Sequence, residues 1–376
     1  MKNSIRERGR SRCRLIALSI AIVTSLLLPL SARAQSQNVV WQQVGAGKAV
    51  AFSADGQMLL AGNQLLRVSD WSLIRTFNNR CCEIDAVAIS PDDQYVAIAT
   101  ESVNLNLNFF RVSDGARIIP TFAHSNGTTT VKFSPDGQLL ASGGRDGTVK
   151  LWHVPDMALV NTFSGGVGYN ARVFALLFSP DGQFLAIGGE DGAQIIQVSD
   201  GSVVRTLAGA SDTVNTLALS PDGLTLAAGF STNHQYRLWR FSDGALLKTV
   251  EASNQEIDSL SFQPDGQVIA CGGGDNTYAG IVSFFRLSDS TRLKYFPQDP
   301  NNLESYVTSI AYSPDGQLVA YARNDNLIVV ARNPLSSSKQ PPPPAPPPGA
   351  TKAGDDPIPP PGDGDVGPGE EPPDIR

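Results

Sequence analysis

The chain has 376 residues, of which 41% are hydrophobic and 17% charged, and its formal net charge is −7. The acidic balance excludes the basic footprint that nucleic acids and anionic membranes require of a partner. The three histidines, at 124, 153 and 234, do not have the spacing of metal ligands, and four cysteines are too few for a disulfide-held scaffold.

The first 34 residues form a separate segment. Basic side chains up to Arg14 precede the apolar residues 15–30, and Ala32-Arg33-Ala34 has the small residues of a cleavage site. This order is typical of a secretory signal peptide removed at about Gln35, and a signal anchor is the alternative. We therefore expect a periplasmic or extracellular protein without stable membrane insertion. Cleavage removes seven basic residues and one acidic residue, which takes the net charge from −7 to −13.

Seven copies of a turn motif run from residue 53 to residue 317. Successive aspartates in these copies are 37 to 50 residues apart, which predicts an array of like units. Proline presets φ near about −65°, and glycine accepts a positive φ, so each copy is interpreted as a tight turn between strands. The copies are Ser53-Ala54-Asp55-Gly56-Gln57, Ser90-Pro91-Asp92-Asp93-Gln94, Ser134-Pro135-Asp136-Gly137-Gln138, Ser179-Pro180-Asp181-Gly182-Gln183, Ser220-Pro221-Asp222-Gly223-Leu224, Gln263-Pro264-Asp265-Gly266-Gln267 and Ser313-Pro314-Asp315-Gly316-Gln317.

The third unit shows what one repeat contains. Four short β-rich runs, residues 128–133, 139–142, 148–153 and 159–163, are separated by turn residues, as in an antiparallel meander. A single meander cannot bury both of its faces, but stacking seven around an axis buries them against neighbours. Residues 35–334 are therefore predicted to form an all-β, seven-bladed β-propeller of four-stranded antiparallel blades.

The ends of the repeat array predict how the ring closes. After the seventh motif, residues 318–322 and 327–331 supply two strands, and no fourth strand follows them. The strand-like segment Val39–Val44 stands before the first unit, so we expect it to complete the last blade. Residues 335–376 are predicted to be a Pro-rich, acidic, disordered tail, which is either a stalk or a solubilising segment.

The third unit also carries a family resemblance. Its third strand ends in Leu151-Trp152 after Gly143-Gly144-Arg145-Asp146-Gly147, and in this it resembles the WD-repeat β-propeller family. The resemblance implies that His124, Ser142, Asp146 and Trp152 form a structural hydrogen-bonded set. The chain departs from the family at His153, where aspartate is usual, so no family-specific partner site is carried over.

Candidates for chemistry are few. We predict no catalytic, cofactor-binding or metal-binding residue, because the histidines lie far apart and each turn aspartate stands alone. His153 and His234 are expected to face solvent. Cys271 is expected to be buried, and the adjacent Cys81 and Cys82 allow only a strained disulfide.

Variable loops between blades are the remaining candidates for function, since binding residues concentrate on loops held by a rigid scaffold. The predicted partner-binding face contains Arg80, Arg145, Tyr169, Arg172 and Tyr306. The favoured hypothesis is a non-catalytic, monomeric, secreted scaffold for an unidentified protein partner. The alternative is an enzyme or small-ligand binder at the central channel, which the mostly apolar first strands disfavour. A third hypothesis, an envelope-assembly propeller, lacks a supporting additional domain.

Overall fold

The protein is built from β-strands throughout the part of the chain that the structure describes. The computed structural model describes residues 38–45, 47–78, 83–102, 106–118, 123–165, 171–207, 209–210, 212–232, 234–252, 256–274, 282–296 and 305–336. These residues form 27 strands, and they contain no helix that is long and apolar enough to cross a membrane. The chain divides into two units, Met1–Ser336 and Ser337–Arg376, and every described residue belongs to the first unit. The segment predicted to be a signal peptide (1–34) and most of the predicted tail lie outside the described residues.

The strands form seven antiparallel sheets, which are the blades. Blade 1 contains β2 (Val50–Phe52), β3 (Met58–Ala61), β4 (Gln64–Arg67) and β5 (Leu73–Thr76), and blade 2 contains β6 (Ile84–Ile89), β7 (Tyr95–Thr100) and β8 (Leu107–Arg111). Blade 3 contains β9 (Thr128–Phe133), β10 (Leu139–Gly144), β11 (Thr148–His153) and β12 (Leu159–Ser164), and blade 4 contains β13 (Val173–Phe178), β14 (Phe184–Gly189), β15 (Gly192–Gln197) and β16 (Val203–Thr206). Blade 5 contains β17 (Val214–Leu219), β18 (Thr225–Phe230), β19 (Gln235–Arg240) and β20 (Leu246–Glu251), and blade 6 contains β21 (Ser259–Phe262), β22 (Val268–Gly272), β23 (Val282–Arg286) and β24 (Arg292–Phe296). Blade 7 contains β25 (Val307–Tyr312), β26 (Leu318–Arg323), β27 (Leu327–Arg332) and β1 (Val39–Val44).

The second blade has three strands within the described residues. Beyond these strands its sheet is extended by a single bridge between Phe110 and Arg117. The N–H of Ile118 donates to the carbonyl of Phe109 at 2.9 Å, and residues 119–122, which follow directly, are not described. The blade therefore has the start of a fourth-strand pairing at its outer edge.

The last blade is closed by the N-terminal strand, as the sequence predicts. Its strand order is β1-β27-β26-β25, and β1 pairs antiparallel with β27 from Val44 opposite Leu327 to Val39 opposite Ala331. The ring of Trp41 on β1 also stacks on Trp71 of blade 1, with 6.0 Å between ring centroids. The all-β, seven-bladed fold and its closure are confirmed.

The described core is divided into seven hydrophobic clusters, one between each pair of neighbouring blades. The cluster between blades 7 and 1, for example, joins Val50 and Leu59 to Ile328 and Val330, none more than 6% exposed. Because every blade buries its faces against two neighbours, the interface between blades 7 and 1 stabilises the fold through apolar burial as the other six interfaces do.

Candidate interaction site at the mouth of the central channel

The turn motif is held by hydrogen bonds within each copy. In the third copy, Ser134 Oγ donates to Asp136 Oδ1 at 2.6 Å, and the N–H groups of Gln138 and Leu139 donate to Asp136 Oδ1 and Ser134 Oγ at 3.0 and 2.9 Å. The bond from Ser134, followed by that from Gln138, lowers the pKa of Asp136. The turn carboxylates are thus engaged locally, and the described residues contain no group of three or more acidic, histidine or cysteine side chains able to hold a metal ion.

Successive turn motifs also contact one another around one end of the ring. Each motif glycine faces the motif proline of the preceding blade, and a Cβ atom on it would lie 2.9–3.8 Å from a proline ring carbon. Gly56 of blade 1 faces Pro314 of blade 7, so this turn ring is closed as well. The other pairs are Gly137 with Pro91, Gly182 with Pro135, Gly223 with Pro180, Gly266 with Pro221 and Gly316 with Pro264.

The junction between blades 1 and 2 replaces this contact with a hydrogen bond. Ala54 stands in the proline position of the first copy, and Asp93 stands in the glycine position of the second. Without the proline ring, Ala54 has an N–H group, which donates to Asp93 Oδ1 at 3.1 Å. Asp93 has a φ of 58°, the left-handed conformation that glycine adopts in the other copies. The two substitutions compensate for each other in this geometry.

The four residues implied by the family resemblance are brought together in blade 3. His124 Nε2 lies 2.8 Å from Ser142 Oγ, and Trp152 Nε1 donates to the same oxygen at 2.9 Å. His124 Nδ1 lies 3.0 Å from Asp146 Oδ1. Burial by itself raises the pKa of Asp146, but the hydrogen bonds from His124 and Thr148 outweigh it and lower the pKa overall. His124 and Ser142 are fully buried, so this network ties the loop before β9 to β10 and β11.

A channel of about 820 Å³ runs between the first strands of the seven blades. Five of these strands shift register by one residue near their start, and the unpaired residue of each bulge lines the channel. Bulges commonly redirect a side chain. These five residues and the two at the same distance before the motif in blades 1 and 6 are here called the mouth ring: Lys48, Asp85, Thr129, Phe174, Asn215, Asp258 and Thr308.

Residue type at the mouth-ring position differs between blades, whereas residue type at a neighbouring position of the first strands is conserved among the seven copies. Two residues further along each first strand, all seven blades carry a buried aliphatic side chain: Val50, Val87, Val131, Leu176, Leu217, Leu260 and Ile310. The mouth ring instead holds a cation, two carboxylates, an amide, two hydroxyls and an aromatic ring. The sequence prediction of mostly apolar first strands covered the segments after the bulge and so missed these residues.

Two carboxyl groups of the mouth ring are held in unfavourable surroundings. Burial, followed by the charge of Glu101, raises the pKa of Asp85 to about 7 against the opposing charge of Arg145. Burial and then Glu256 raise the pKa of Asp258 to about 7, although Asn215 Nδ2 donates to it at 2.9 Å. Asp85 Oδ2 is buried without a hydrogen-bond partner among the described residues, and Arg145 Nη2 lies 3.8 Å away.

Three of the predicted partner-binding residues are described, and two of them line the channel. Arg145 forms an ion pair with Glu101, and Tyr306 lies where burial and then the charge of Asp258 raise its pKa. Arg172 lies outside the channel lining, paired with Glu190 at 2.6 Å and placed over the Phe174 ring at 5.4 Å. Arg80 and Tyr169 lie outside the described residues.

The other histidines and cysteines that were candidates for catalysis or metal binding are not part of the mouth ring. His153 is exposed and pairs with Asp156, whereas His234 is partly buried rather than facing solvent, because its Nδ1 has no exposed surface. Cys271 is a buried free thiol between blades 5 and 6, and burial raises its pKa. Cys81 and Cys82 lie outside the described residues.

Comparison with known proteins agrees with this architecture. The family described as WD domain, G-beta repeat matches residues 117–153, 158–193, 201–240, 244–278 and 299–330. An uncharacterized WD repeat-containing protein from Synechocystis sp. is 32% identical over 126 residues, which are 32% of this chain and 33% of the relative. Cross-pathway control WD-repeat protein 2 from Flammulina velutipes is 32% identical over 127 residues, covering 31% of this chain and 39% of the relative.

A third relative is the small ribosomal subunit protein RACK1 from Schizosaccharomyces pombe, which is 27% identical over 124 residues, 32% of this chain and 39% of the relative. The chain thus matches between a third and two fifths of the length of these relatives. Five matched repeats across a ring of seven blades place the chain in a family: it belongs to the WD-repeat β-propellers.

Proposed function

We propose that this protein is a non-catalytic interaction module which, after export, presents the mouth ring and the loops around it to a protein partner. WD-repeat propellers typically serve as protein-interaction scaffolds, and RACK1 is by its name a component of a ribosomal subunit. Both support an interaction role. Export is supported by the signal-peptide pattern of residues 1–34.

One observation carries the proposal. The seven first strands repeat their buried aliphatic register, but at the mouth ring, two residues earlier, the side chains include a cation, carboxylates, an amide, hydroxyls and an aromatic ring. Packing between blades therefore explains the buried aliphatic side chains. It does not explain the residues of the mouth ring, which we attribute to binding a partner. Function commonly lies on such irregular positions of a rigid scaffold.

The charges of the mouth indicate what a partner must supply. Lys48 is paired with Glu83 at 2.9 Å, Arg145 with Glu101 and Arg172 with Glu190, so these cations are already engaged. Asp85 Oδ2 still lacks a hydrogen-bond donor among the described residues. We expect the partner to contribute a hydrogen-bond-donating segment, because a buried carboxyl oxygen without a hydrogen bond is costly even with the Arg145 guanidinium 3.8 Å away.

The test compares two triple variants of the mature chain in affinity capture from the native host. The site variant combines Asp85→Asn, Phe174→Ala and Asp258→Asn, and the matched control combines Gln57→Ala, Gln138→Ala and Gln183→Ala in the turn motifs at the other end of the ring. A partner retained by the wild type and the control but lost from the site variant supports the proposal. Equal capture by all three proteins contradicts it.

Export and the absence of catalysis need separate measurements. N-terminal sequencing of the protein from its host should find a mature chain that begins at about Gln35, and an intact N-terminus would contradict cleavage. A broad hydrolase screen of the purified propeller should show no turnover. Activity that disappears in the site variant would replace the scaffold proposal with an enzymatic one.

A further inference from the structure

The turn before β9 contains the one Asn-Gly step of the chain. Asn126 is exposed and has a φ of 66°, and Gly127 is buried and has a φ of 111°. A Cβ atom on residue 127 would lie 3.1 Å from Glu101 Cα, so both conformation and space disfavour a side chain there. Asparagine adopts the left-handed conformation more readily than most other residues with a side chain. The backbone geometry of this turn therefore favours asparagine and glycine in succession.

The side-chain amide of Asn126 is open to reaction. No hydrogen bond, ion pair or ring contact holds it within the described part of the chain. Gly127 has no Cβ atom to hinder the approach of its nitrogen to Asn126 Cγ. Attack of a main-chain nitrogen on the preceding carboxamide forms a cyclic succinimide, which is the general route of asparagine deamidation. Asn126 thus lacks both the side-chain contact and the steric hindrance that would slow this reaction.

The Asp-Gly steps of the turn motif differ from Asn126 in this respect. Asp136, for example, accepts hydrogen bonds from Ser134 Oγ at 2.6 Å and from the Gln138 N–H at 3.0 Å, and these bonds lower its pKa. An ionised, hydrogen-bonded carboxylate is a poor electrophile, so ring closure is disfavoured at these steps although glycine is again the second residue.

We propose that Asn126 deamidates spontaneously in the folded protein. The Gly127 nitrogen loses its proton to a base in solution and forms a bond to Asn126 Cγ, while the bond from Cγ to Nδ2 breaks and ammonia leaves. Water then opens the succinimide without any change in oxidation state. Addition of water at Cγ gives aspartate. Addition at the main-chain carbonyl of residue 126 gives isoaspartate, in which the chain runs through Cγ and is longer by one methylene group.

The modification changes the surroundings of Arg145, which lines the channel. The Arg145 N–H donates to the Gly127 carbonyl at 3.2 Å, and the Ser125 N–H donates to Asp146 Oδ2 at 2.8 Å. Because isoaspartate lengthens the main chain between Ser125 and Gly127, both hydrogen bonds cannot keep their geometry. Either product also adds a negative charge to this turn. The proposal does not depend on the interaction role proposed for the mouth ring.

Incubation of the mature chain at mildly alkaline pH in water enriched in ¹⁸O tests the proposal, because hydrolysis of the succinimide leaves a solvent oxygen in the product. Peptide mass spectrometry should find ¹⁸O at residue 126, largely as isoaspartate. Asn326 is the internal control, since it is also exposed and has a φ of 64°, but Leu327 follows it. Asn126 should react at least about tenfold faster than Asn326, because glycine has no Cβ to hinder ring closure.

A variant provides a second comparison. Asn126→Gly keeps a residue suited to the left-handed conformation and removes the amide. Ion-exchange chromatography should therefore show an acidic species that grows during incubation of the wild type and is much smaller in the variant, and circular dichroism checks that both proteins stay folded.

Three results would overturn the proposal. The first is an Asn126 that stays unlabelled while the protein is folded, and the second is a rate no higher than that of Asn326. The third is a glycan on Asn126 in protein taken from its host, because Asn126-Gly127-Thr128 matches the acceptor sequence for N-glycosylation and a sugar would occupy the amide nitrogen.

Discussion

Exchanging Ala54 for proline and Asp93 for glycine would convert the irregular junction of the turn ring into a copy of the other six. In the protein this junction is a hydrogen bond of 3.1 Å from the Ala54 N–H to Asp93 Oδ1. At the closing junction, by contrast, a Cβ on Gly56 would lie 3.3 Å from Pro314 Cδ, so glycine and proline pack directly. Both forms connect neighbouring blades. We therefore expect the effect of substituting Ala54 on the free energy of unfolding to depend on whether Asp93 is also substituted.

The structure gives the size of that dependence. Ala54→Pro removes the donor, which costs about 1 kcal/mol, and recovers about 0.5 kcal/mol by restricting the unfolded chain. Asp93→Gly removes the acceptor at a similar cost. It also relieves the backbone strain of a φ of 58°, but this gain is offset by the conformational entropy that glycine loses on folding. The double variant loses the hydrogen bond once and gains the proline–glycine contact. Its free energy of unfolding should lie within about 0.5 kcal/mol of wild type, with a coupling of about 1 kcal/mol.

The assay is a double-mutant cycle by urea denaturation, followed through tryptophan fluorescence. A common denaturant dependence of the unfolding free energy across the four proteins is the condition for comparing them. If the two single changes add within about 0.3 kcal/mol, the motif copies do not act across blades and the reasoning is refuted.

A regular junction provides the matched control for this cycle. Gly182 has a φ of 70° and faces Pro135 of the preceding blade. Gly182→Asp alone should be destabilising, because its carboxylate meets a proline ring without an N–H group. Adding Pro135→Ala should recover part of the loss by supplying that donor. Failure of this rescue would show that the bond between Ala54 and Asp93 is particular to its own junction.

Three further predictions concern the ring, the buried network and the mouth. Deleting residues 38–44 leaves β27 without its partner strand and exposes Trp71, so calorimetry should show a melting temperature lower by about 10 °C or more, and an unchanged value would contradict closure by β1. Ser142→Ala breaks two buried hydrogen bonds and should cost about 2–3 kcal/mol in urea, whereas Ser202→Ala, at an exposed turn, should cost less than about 1 kcal/mol. The pKa of Asp258 rises to about 7 on folding from an unfolded value near 4, so its penalty on stability grows across that interval and is complete above it. Asp258→Asn should therefore raise the melting temperature more at pH 8 than at pH 5, and equal gains would contradict the raised pKa.

The fold could be predicted from the sequence because its determinants are local. Ser134, Pro135 and Gly137 specify a turn through their own backbone preferences, and the period of the copies counts the blades. The role of Val39–Val44 followed from counting strands in the last unit. Turn chemistry alone, however, gives no information on neighbours in space, so the contact between Gly56 and Pro314 appears only once the ring is built.

The candidate site could be predicted only in part. Loop reasoning predicted that Arg145 and Tyr306 share one face of the ring; both line the channel, and their part in binding a partner stays a prediction. Asp85, Phe174 and Asn215 were missed, since a bulge of one residue changes which side chains turn into the channel without leaving a pattern in hydrophobicity. A position-by-position comparison of the seven copies would have identified them, because the residue type at this position varies from blade to blade.

The two ends of each first strand are thus under different constraints, and this has a consequence for how the protein tolerates change. At the turn end, a residue such as Asp93 contacts a residue of the preceding blade, so substitutions there should be accepted in pairs. At the mouth, the contacts differ from junction to junction: Thr129 Oγ1 donates to the carbonyl of Val173 and Asn215 Nδ2 donates to Asp258 of the next blade, whereas Phe174 contacts Arg172 of its own blade. We therefore expect a change at Phe174 to place less demand on the neighbouring blade than a change at Asn215, while the turn ring and the seven interblade clusters preserve the fold.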